Sequence, residues 1–172
     1  MNKLQTLTRL RSILKEARKN GRKIVLANGC FDLVHVGHVR YLQGAKKQGD
    51  ILVLALNSDR SIRKLKGPGR PVLSQEERVE VLSSFACVDY LILFDEPNVE
   101  KLLEALRPDV HVKGSDYTRE TVPEKDTARR VGAEVAIAGG PKVRNTRDII
   151  RAIARRAPAG VAKSRSGRNP EA

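Results

Sequence analysis

Residues 28–38 read Asn-Gly-Cys-Phe-Asp-Leu-Val-His-Val-Gly-His (NGCFDLVHVGH) and separate an apolar run from a run with helical character. The preceding run, KIVLA, is apolar throughout, which is typical of a buried strand. The following residues, from about 37 to 48, are predicted to form a helix. Two of the three histidines of the 172-residue chain, His35 and His38, lie in this one turn. The stretch therefore predicts a strand-to-helix turn with two imidazoles at the start of the helix.

Apolar runs alternate with helical patterns along the rest of the chain. The predicted strands are 23–28, 50–57, 87–94, 108–114 and 133–139. The predicted helices are an N-terminal amphipathic helix within 7–21 and further helices at about 37–48, 59–64, 74–85, 98–107, 124–131 and 146–156. Strands that are apolar throughout and separated by helices indicate a parallel sheet covered on both faces. We predict an α/β fold of Rossmann type, with a doubly wound parallel sheet of about five strands.

In such sheets, ligands bind beyond the carboxyl ends of the strands, where the strand order reverses. Residues 28–38 occupy such a position, although neither GxGxxG nor GxxxxGK[ST] is present. Gly29 is expected to permit a tight turn, and Gly37 to let an anion approach the helix N-terminus. His35 and His38, three residues apart, are expected to face the same side and converge on one phosphate. Taken alone, this pair also fits a helix cap or two metal ligands.

Composition limits the classes of partner. The chain has 33 Lys and Arg against 20 Asp and Glu, a net charge of +13, which attracts nucleic acids, anionic lipids or small phosphorylated molecules. Aromatic residues make up only 3%, which argues against a nucleic-acid-binding module. Apolar runs are too short for a membrane span, and the two cysteines have no metal-site spacing. We expect a cytoplasmic protein with one domain, residues 1–157, and a basic disordered tail, residues 158–172.

Several motifs resemble those of the cytidylyltransferase-like nucleotidyltransferases, in which a strand is followed by G-T/C-F-D and by H-x-G-H at the start of a helix. The resemblance runs from about residue 22 to residue 155. Within that family, the chain is most similar to the D-glycero-β-D-manno-heptose 1-phosphate adenylyltransferases. The stretches that carry it besides the HxGH block are Asn57-Ser58-Asp59, KLKGPGRP at 64–71, Glu77-Arg78, Val88-Asp89 and KGSDY at 113–117.

The resemblance implies transfer of AMP from ATP to a heptose 1-phosphate, giving ADP-heptose, a precursor of the lipopolysaccharide core, and pyrophosphate. It implies catalytic roles for His35, His38 and Lys66, with Lys66 on a mobile glycine-rich loop. The nucleotide-binding residues that it implies are Asn28, Gly29, Cys30, Phe31, Gly37, Lys113, Gly114, Asp116 and Thr146. The candidates on the sugar phosphate side are Asp32, Asn57, Asp59, Arg70 and Arg78.

Some of these roles have structural alternatives. Arg78 fits a salt bridge on a helix surface equally well, Lys113 fits a solvated charge, and Asp32 fits a residue that orients the histidine loop. Mg²⁺ is the expected cofactor, held by phosphate oxygens and water rather than by protein ligands. A homodimer is implied by the resemblance alone.

The chain departs from the family pattern before its last helix. Where such enzymes tend to have a run of Ser and Thr, it has Asn145-Thr146-Arg147, preceded by Lys142 and Arg144. Asn145 is expected to cap the helix, and Thr146 keeps a hydroxyl. The alternative enzyme is a cytidylyltransferase acting on glycerol 3-phosphate or another phosphoalcohol. The absence of a fuller RTEGISTT run argues mildly against it.

Overall fold

The computed structural model of the chain describes residues 2–141 and 146–156. Its strands are β1 (Ile24–Gly29), β2 (Ile51–Asn57), β3 (Tyr90–Phe94), β4 (Val110–Gly114) and β5 (Glu134–Ala138). Its helices are α1 (Leu7–Lys19), α2 (Val36–Lys46), α3 (Asp59–Lys66), α4 (Gln75–Ser83), α5 (Glu100–Leu106), α6 (Lys125–Val131) and α7 (Thr146–Arg156). The predicted order of strands and helices is confirmed. The expectations for Lys142, Arg144, Asn145 and the tail at 158–172 concern residues outside these ranges.

The five strands form one parallel sheet in the order β3-β2-β1-β4-β5. The chain moves outward from β1 through β2 to β3, then returns to the other side of β1 and continues outward through β4 to β5. The order therefore reverses between β1 and β4, and the carboxyl ends of these two strands border the crevice in which ligands bind to such sheets. The doubly wound fold predicted from the apolar pattern is confirmed.

Both faces of the sheet are buried. Val25 and Leu26 are consecutive residues of β1, and they belong to hydrophobic clusters on opposite faces because side chains alternate along a strand. One cluster includes Leu42 of α2, and the other includes Leu10 and Leu14 of α1. The predicted amphipathic helix at the N-terminus thus covers one face. In the described ranges, no helix combines the length and the apolar character needed to cross a membrane.

Helix termini follow the local sequence. Ser74 accepts from the backbone N–H of Glu77, and the Glu77 carboxylate accepts from the backbone N–H of Ser74, which is the capping box that Ser and Glu at this spacing form at the start of α4. At the start of α2 the N-cap is His35, an uncommon residue at that position. The histidine loop therefore serves both as the connection from β1 and as the cap of α2.

Candidate active site

A cavity of about 690 Å³ opens at the carboxyl ends of the strands. Its wall gathers nearly all of the predicted site residues: Asn28, Gly29, Cys30, Phe31, Asp32, His35, Gly37, His38, Asn57, Lys66, Arg70, Lys113, Gly114, Asp116 and Thr146. These residues come from segments far apart in sequence, which meet because parallel strands bring their carboxyl ends to one edge. Asp59 and Arg78 are the two predicted site residues that do not line it.

The two histidine rings lie side by side at the start of α2. Their centroids are 3.9 Å apart with an interplanar angle of 27°, so they face the same side of the helix as predicted. The Nδ1 atom of His35 accepts from the backbone N–H of Gly37 at 3.1 Å. An accepting Nδ1 carries no proton, so the neutral ring of His35 has its proton on Nε2. The cap thereby fixes which nitrogen of His35 is a donor.

Both imidazoles are neutral near pH 7. Burial lowers the pKa of His35 below its ordinary value. Burial lowers the pKa of His38 to about 4, and the neighbouring ring of His35 acts in the same direction. His35 therefore offers its Nε2–H to a ligand without adding charge, and His38 places a second neutral ring beside it. Any positive charge in the cavity comes from lysine and arginine side chains.

The turn before the histidines is made by a residue that sequence reasoning did not single out for its backbone. Phe31 has a φ of 46°, in the left-handed region, whereas Gly29 is the last residue of β1 and has no positive φ. The expectation that Gly29 supplies the tight turn is wrong. Position 29 suits glycine for another reason, since an added Cβ would lie 2.8 Å from the ring of Phe31 and would force that ring to move.

Asp32 connects the histidine loop to the loop at residues 67–73. Its Oδ1 accepts from the backbone N–H groups of Val72 at 2.7 Å and Leu73 at 3.1 Å. Its Oδ2 lies 3.1 Å from the guanidinium of Arg70 in an ion pair. The carboxylate is buried, and these contacts favour the orienting role over contact with a sugar hydroxyl.

Lys66 is the last residue of α3, not a residue of a glycine-rich loop as predicted. The helix extends past the predicted end at residue 64 and stops at Gly67, whose φ of 84° is unfavourable for other residues. Lys66 is exposed and lines the cavity. Its backbone therefore belongs to the last turn of a helix, and its side chain lines the cavity.

Arg78 has a structural role that contradicts the prediction of contact with the sugar phosphate. Its side chain is fully buried and donates to the carbonyls of Cys30 at 2.7 Å and Asn57 at 2.9 Å. It also donates to Asp59 Oδ1 at 2.8 Å. The guanidinium therefore joins the ends of β1 and β2 to the start of α3. Asp59 is paired with Arg78 and borders a separate depression of about 360 Å³, so its place on the sugar phosphate side stays a prediction.

Asn57 and Cys30 line the cavity, and their side chains form hydrogen bonds within the protein. Asn57 donates to Ser61 Oγ at 3.0 Å, and Cys30 Sγ donates to Asn57 Oδ1 at 3.7 Å. Burial raises the pKa of the Cys30 thiol, so the thiolate is disfavoured. Cys30 is therefore not an activated nucleophile.

A charged network lies at the end of β4. The ammonium of Lys113 is 3.3 Å from Glu124 Oε2 and 3.3 Å from Asn28 Oδ1, and it lies 5.0 Å from the ring centroid of Tyr117. The Nε2 atom of His111 is 3.7 Å from Glu124 Oε2. Burial acts to raise the pKa of Glu124, but the contacts with His111 and Lys113 outweigh it and hold the pKa at about 2. Glu124 is therefore ionised at neutral pH.

Sequence reasoning missed Glu124 and Tyr117, both of which line the cavity. An acidic residue beside a predicted helix start is most simply explained by the helix dipole, so Glu124 gave no distinct signal. The space beside Gly114 is open, because a Cβ there would meet no atom within 4 Å. Asp116 and Thr146 border the same space.

A protein cage for a metal ion is not present in the described residues, where no three His, Cys, Asp or Glu side chains come together to hold one. The cavity carboxylates of Asp32 and Glu124 have cationic partners, Arg70 and Lys113. The donor set of the described chain does not fit a metal held by protein ligands alone.

The chain is similar in sequence to known proteins. The chain is 48% identical over 152 residues to the bifunctional protein HldE of Syntrophotalea carbinolica, covering 88% of this chain and 31% of that protein. It is 47% identical over 153 residues to the protein of the same name from Geobacter metallireducens, covering 89% of this chain and 31% of that protein. The chain thus spans about a third of the length of these curated relatives.

Solved structures show the same fold. The lipopolysaccharide core biosynthesis protein from Thermoplasma volcanium matches 71% of this chain and 100% of its own, with a TM-score of 0.60 and 26% identity. The pantoate-beta-alanine ligase from Francisella tularensis matches 83% of this chain and 68% of its own, with a TM-score of 0.61 and 17% identity, a likeness of fold alone. The profile of the cytidylyltransferase-like family matches residues 26–156. The chain therefore belongs to the cytidylyltransferase-like family.

Proposed function

We propose that this chain is an adenylyltransferase that transfers AMP from ATP to D-glycero-β-D-manno-heptose 1-phosphate, giving ADP-heptose and pyrophosphate. The observation that carries the proposal is the pair of neutral imidazoles, stacked at the N-terminus of α2 where the strand order reverses. The similarity to HldE proteins and to a lipopolysaccharide core biosynthesis protein supports the choice of sugar phosphate.

The reaction is a displacement at the α-phosphorus of ATP. An oxygen of the sugar 1-phosphate forms a bond to that phosphorus, and the bond to the bridging oxygen breaks, so that pyrophosphate leaves with the electron pair. The attacking oxygen is already an anion near neutral pH, so the site needs no general base. The protein must instead bring two anions together and stabilise the charge that develops on the phosphoryl oxygens.

The histidine loop provides donors for that charge. His35 directs its proton to Nε2 because Nδ1 accepts from Gly37, and His38 lies against it at the same face. The backbone N–H groups at the start of α2 favour a negative group in the same place. We assign the triphosphate to this corner of the cavity, where the α-phosphate meets both rings.

Lysine and arginine side chains add positive charge around the phosphates. Lys66 is exposed at the end of α3, and its long side chain suits a cation that bridges the α-phosphate and the incoming phosphate. Arg70 is held by Asp32 beside the same corner, which suits the sugar phosphate. The nucleoside is assigned to the end of β4, with space above Gly114 and with Asp116 as an acceptor for a ribose hydroxyl.

Mg²⁺ is proposed to enter with the triphosphate, whose charge it neutralises when bound. Its ligands are then phosphate oxygens and water, as is usual for Mg²⁺ at nucleotide sites. No residue of the chain is assigned to it, and no step above depends on it.

Pyrophosphate release tests the proposal directly. The protein is incubated with Mg²⁺, each of the four nucleoside triphosphates, and either heptose 1-phosphate or glycerol 3-phosphate, with omission of the acceptor as the control. We expect release with ATP and heptose 1-phosphate together. Release with CTP and glycerol 3-phosphate, and not with ATP and heptose 1-phosphate, would show the alternative cytidylyltransferase activity instead.

A further inference from the structure

Glu124 lies in the cavity wall immediately before α6, and no role has been assigned to it above. It is 3% exposed, which is unusual for a carboxylate unless it is paired. The residue before a helix often caps it by accepting from backbone N–H groups, a role that Ser, Thr, Asp and Asn fill best. Glu124 makes no such side-chain cap. Its carboxylate is directed at side chains of β4 instead.

The contacts of Glu124 show what the carboxylate does. Its two oxygens lie 3.3 and 3.4 Å from the ammonium of Lys113, and Oε2 lies 3.7 Å from Nε2 of His111. Lys113 is itself only 7% exposed. A buried ammonium is costly without a counter-ion, and removing one member of a buried pair leaves the other uncompensated. Glu124 is therefore the counter-ion of a lysine that sits at the nucleotide end of the cavity.

The same contacts fix the position of the ammonium. Asn28 Oδ1 also lies 3.3 Å from Lys113 Nζ, and the ring centroid of Tyr117 lies 5.0 Å from the same atom. Each contact is long for a charged hydrogen bond, so the ammonium is located without being tightly bound. Such an arrangement leaves it able to form a shorter contact with an incoming ligand. Without the carboxylate, neither the charge nor the location of this group would be maintained.

We propose that Glu124 is a positioning residue for nucleotide binding, which acts by holding the Lys113 ammonium beside Asn28 in the cavity wall. The inference rests on the proposed function, in which Lys113 contacts ATP. It predicts that Glu124 contributes to affinity only through Lys113. If Glu124 had a purely structural role, its replacement would lower ATP affinity by the same factor whether or not Lys113 is present.

A double-mutant cycle on ATP affinity separates these cases. The full chain and its Glu124→Gln, Lys113→Met and doubly substituted variants are titrated calorimetrically with ATP and Mg²⁺, without acceptor, and unfolding temperatures are measured without ligand. Glu124→Gln and Lys113→Met should each raise Kd about tenfold or more, because the ammonium that contacts the nucleotide is displaced in one variant and absent in the other. The double variant should bind about as weakly as Lys113→Met alone. Glu120→Gln, an exposed acid of the same loop, is the matched control and should bind like the unaltered protein.

Two results would overturn the inference: unchanged ATP affinity in Glu124→Gln, or equal losses from Glu124→Gln with and without Lys113. Glu124→Asp is the second variant if Glu124→Gln does not fold, with a smaller loss of affinity expected, again absent when Lys113 is replaced. Failure of the unaltered chain to bind any nucleoside triphosphate would instead refute the proposed function. ATP binding without transfer to heptose 1-phosphate would refute the function and leave the role of Glu124 intact.

Discussion

His35 and His38 show how the surroundings of two side chains set their protonation. His35 caps α2 through Nδ1, which leaves its proton on Nε2, and His38 is neutral because burial opposes its charge. A neutral imidazole donates to a phosphoryl oxygen without having to be protonated first. The tautomer of His35 depends on the start of α2, and the neutrality of His38 depends on burial and on the neighbouring ring of His35.

The lowered pKa of His38 predicts a pH dependence of stability. The pKa falls from 6.5 to about 4 on folding, so between these values the unfolded chain binds a proton that the folded protein does not. Stability rises with pH wherever the unfolded state binds more protons. The free energy of unfolding should therefore decrease as pH falls below about 6.5, with a slope from this group of up to about 1.4 kcal/mol per pH unit.

Urea unfolding of the unaltered protein and of His38→Gln, between pH about 5 and about 7, measures this slope. The window avoids Glu124, whose pKa is lowered from 4.5 to about 2 and whose contribution is lost only below 4.5. The variant should show a shallower dependence than the unaltered protein. Identical slopes would contradict the assignment of a buried neutral imidazole.

At the scale of elements, the histidine loop and the loop at 67–73 behave as one unit because Asp32 joins them. Arg78 supports the same region from α4 by holding the ends of β1 and β2. Periodicity in the sequence predicted each helix and strand, because the pattern of a strand or a helix is local. It did not predict that Arg78 donates to carbonyls at the ends of two strands, because those contacts depend on how α4 packs. Lys66 was misplaced for a similar reason: the end of α3 is set by the φ of Gly67.

Loss of the Asp32 carboxylate should loosen the loop at 67–73. In Asp32→Ala, the backbone N–H groups of Val72 and Leu73 lose their acceptor and Arg70 loses its partner. Hydrogen exchange at these two amides should accelerate about tenfold or more, because hydrogen bonds to charged groups contribute about 1.5–3 kcal/mol. Glu80→Gln, at an exposed position of α4, is the control. Unchanged exchange in Asp32→Ala would show that the loop is held by other contacts.

At the scale of the whole molecule, the parallel sheet and its strand order place the site. β1 and β4 are neighbours, although β1 ends at Gly29 and β4 begins only at Val110, and the order reverses between them. The alternation of apolar runs and helices was sufficient to predict this architecture. It also predicted that the histidine loop lies at the carboxyl ends of the strands, where the cavity is found. The pairing of Lys113 with Glu124 was not predictable, because it joins β4 to the start of α6 across a connection without regular pattern. The net charge of +13 suits a protein whose ligands are anions.

The rate of nucleotidyl transfer by the variant His35→Asn/His38→Asn is the most direct test of the central claim. Asparagine retains an acceptor for the cap of α2, so the change removes the imidazole donors with little expected effect on the helix. If the paired rings stabilise the phosphoryl group during transfer, kcat with ATP and heptose 1-phosphate should fall at least two to three decades, which corresponds to about 3–4 kcal/mol. Circular dichroism should match that of the unaltered protein. A folded variant that turns over within a few-fold of the unaltered rate would contradict the claim.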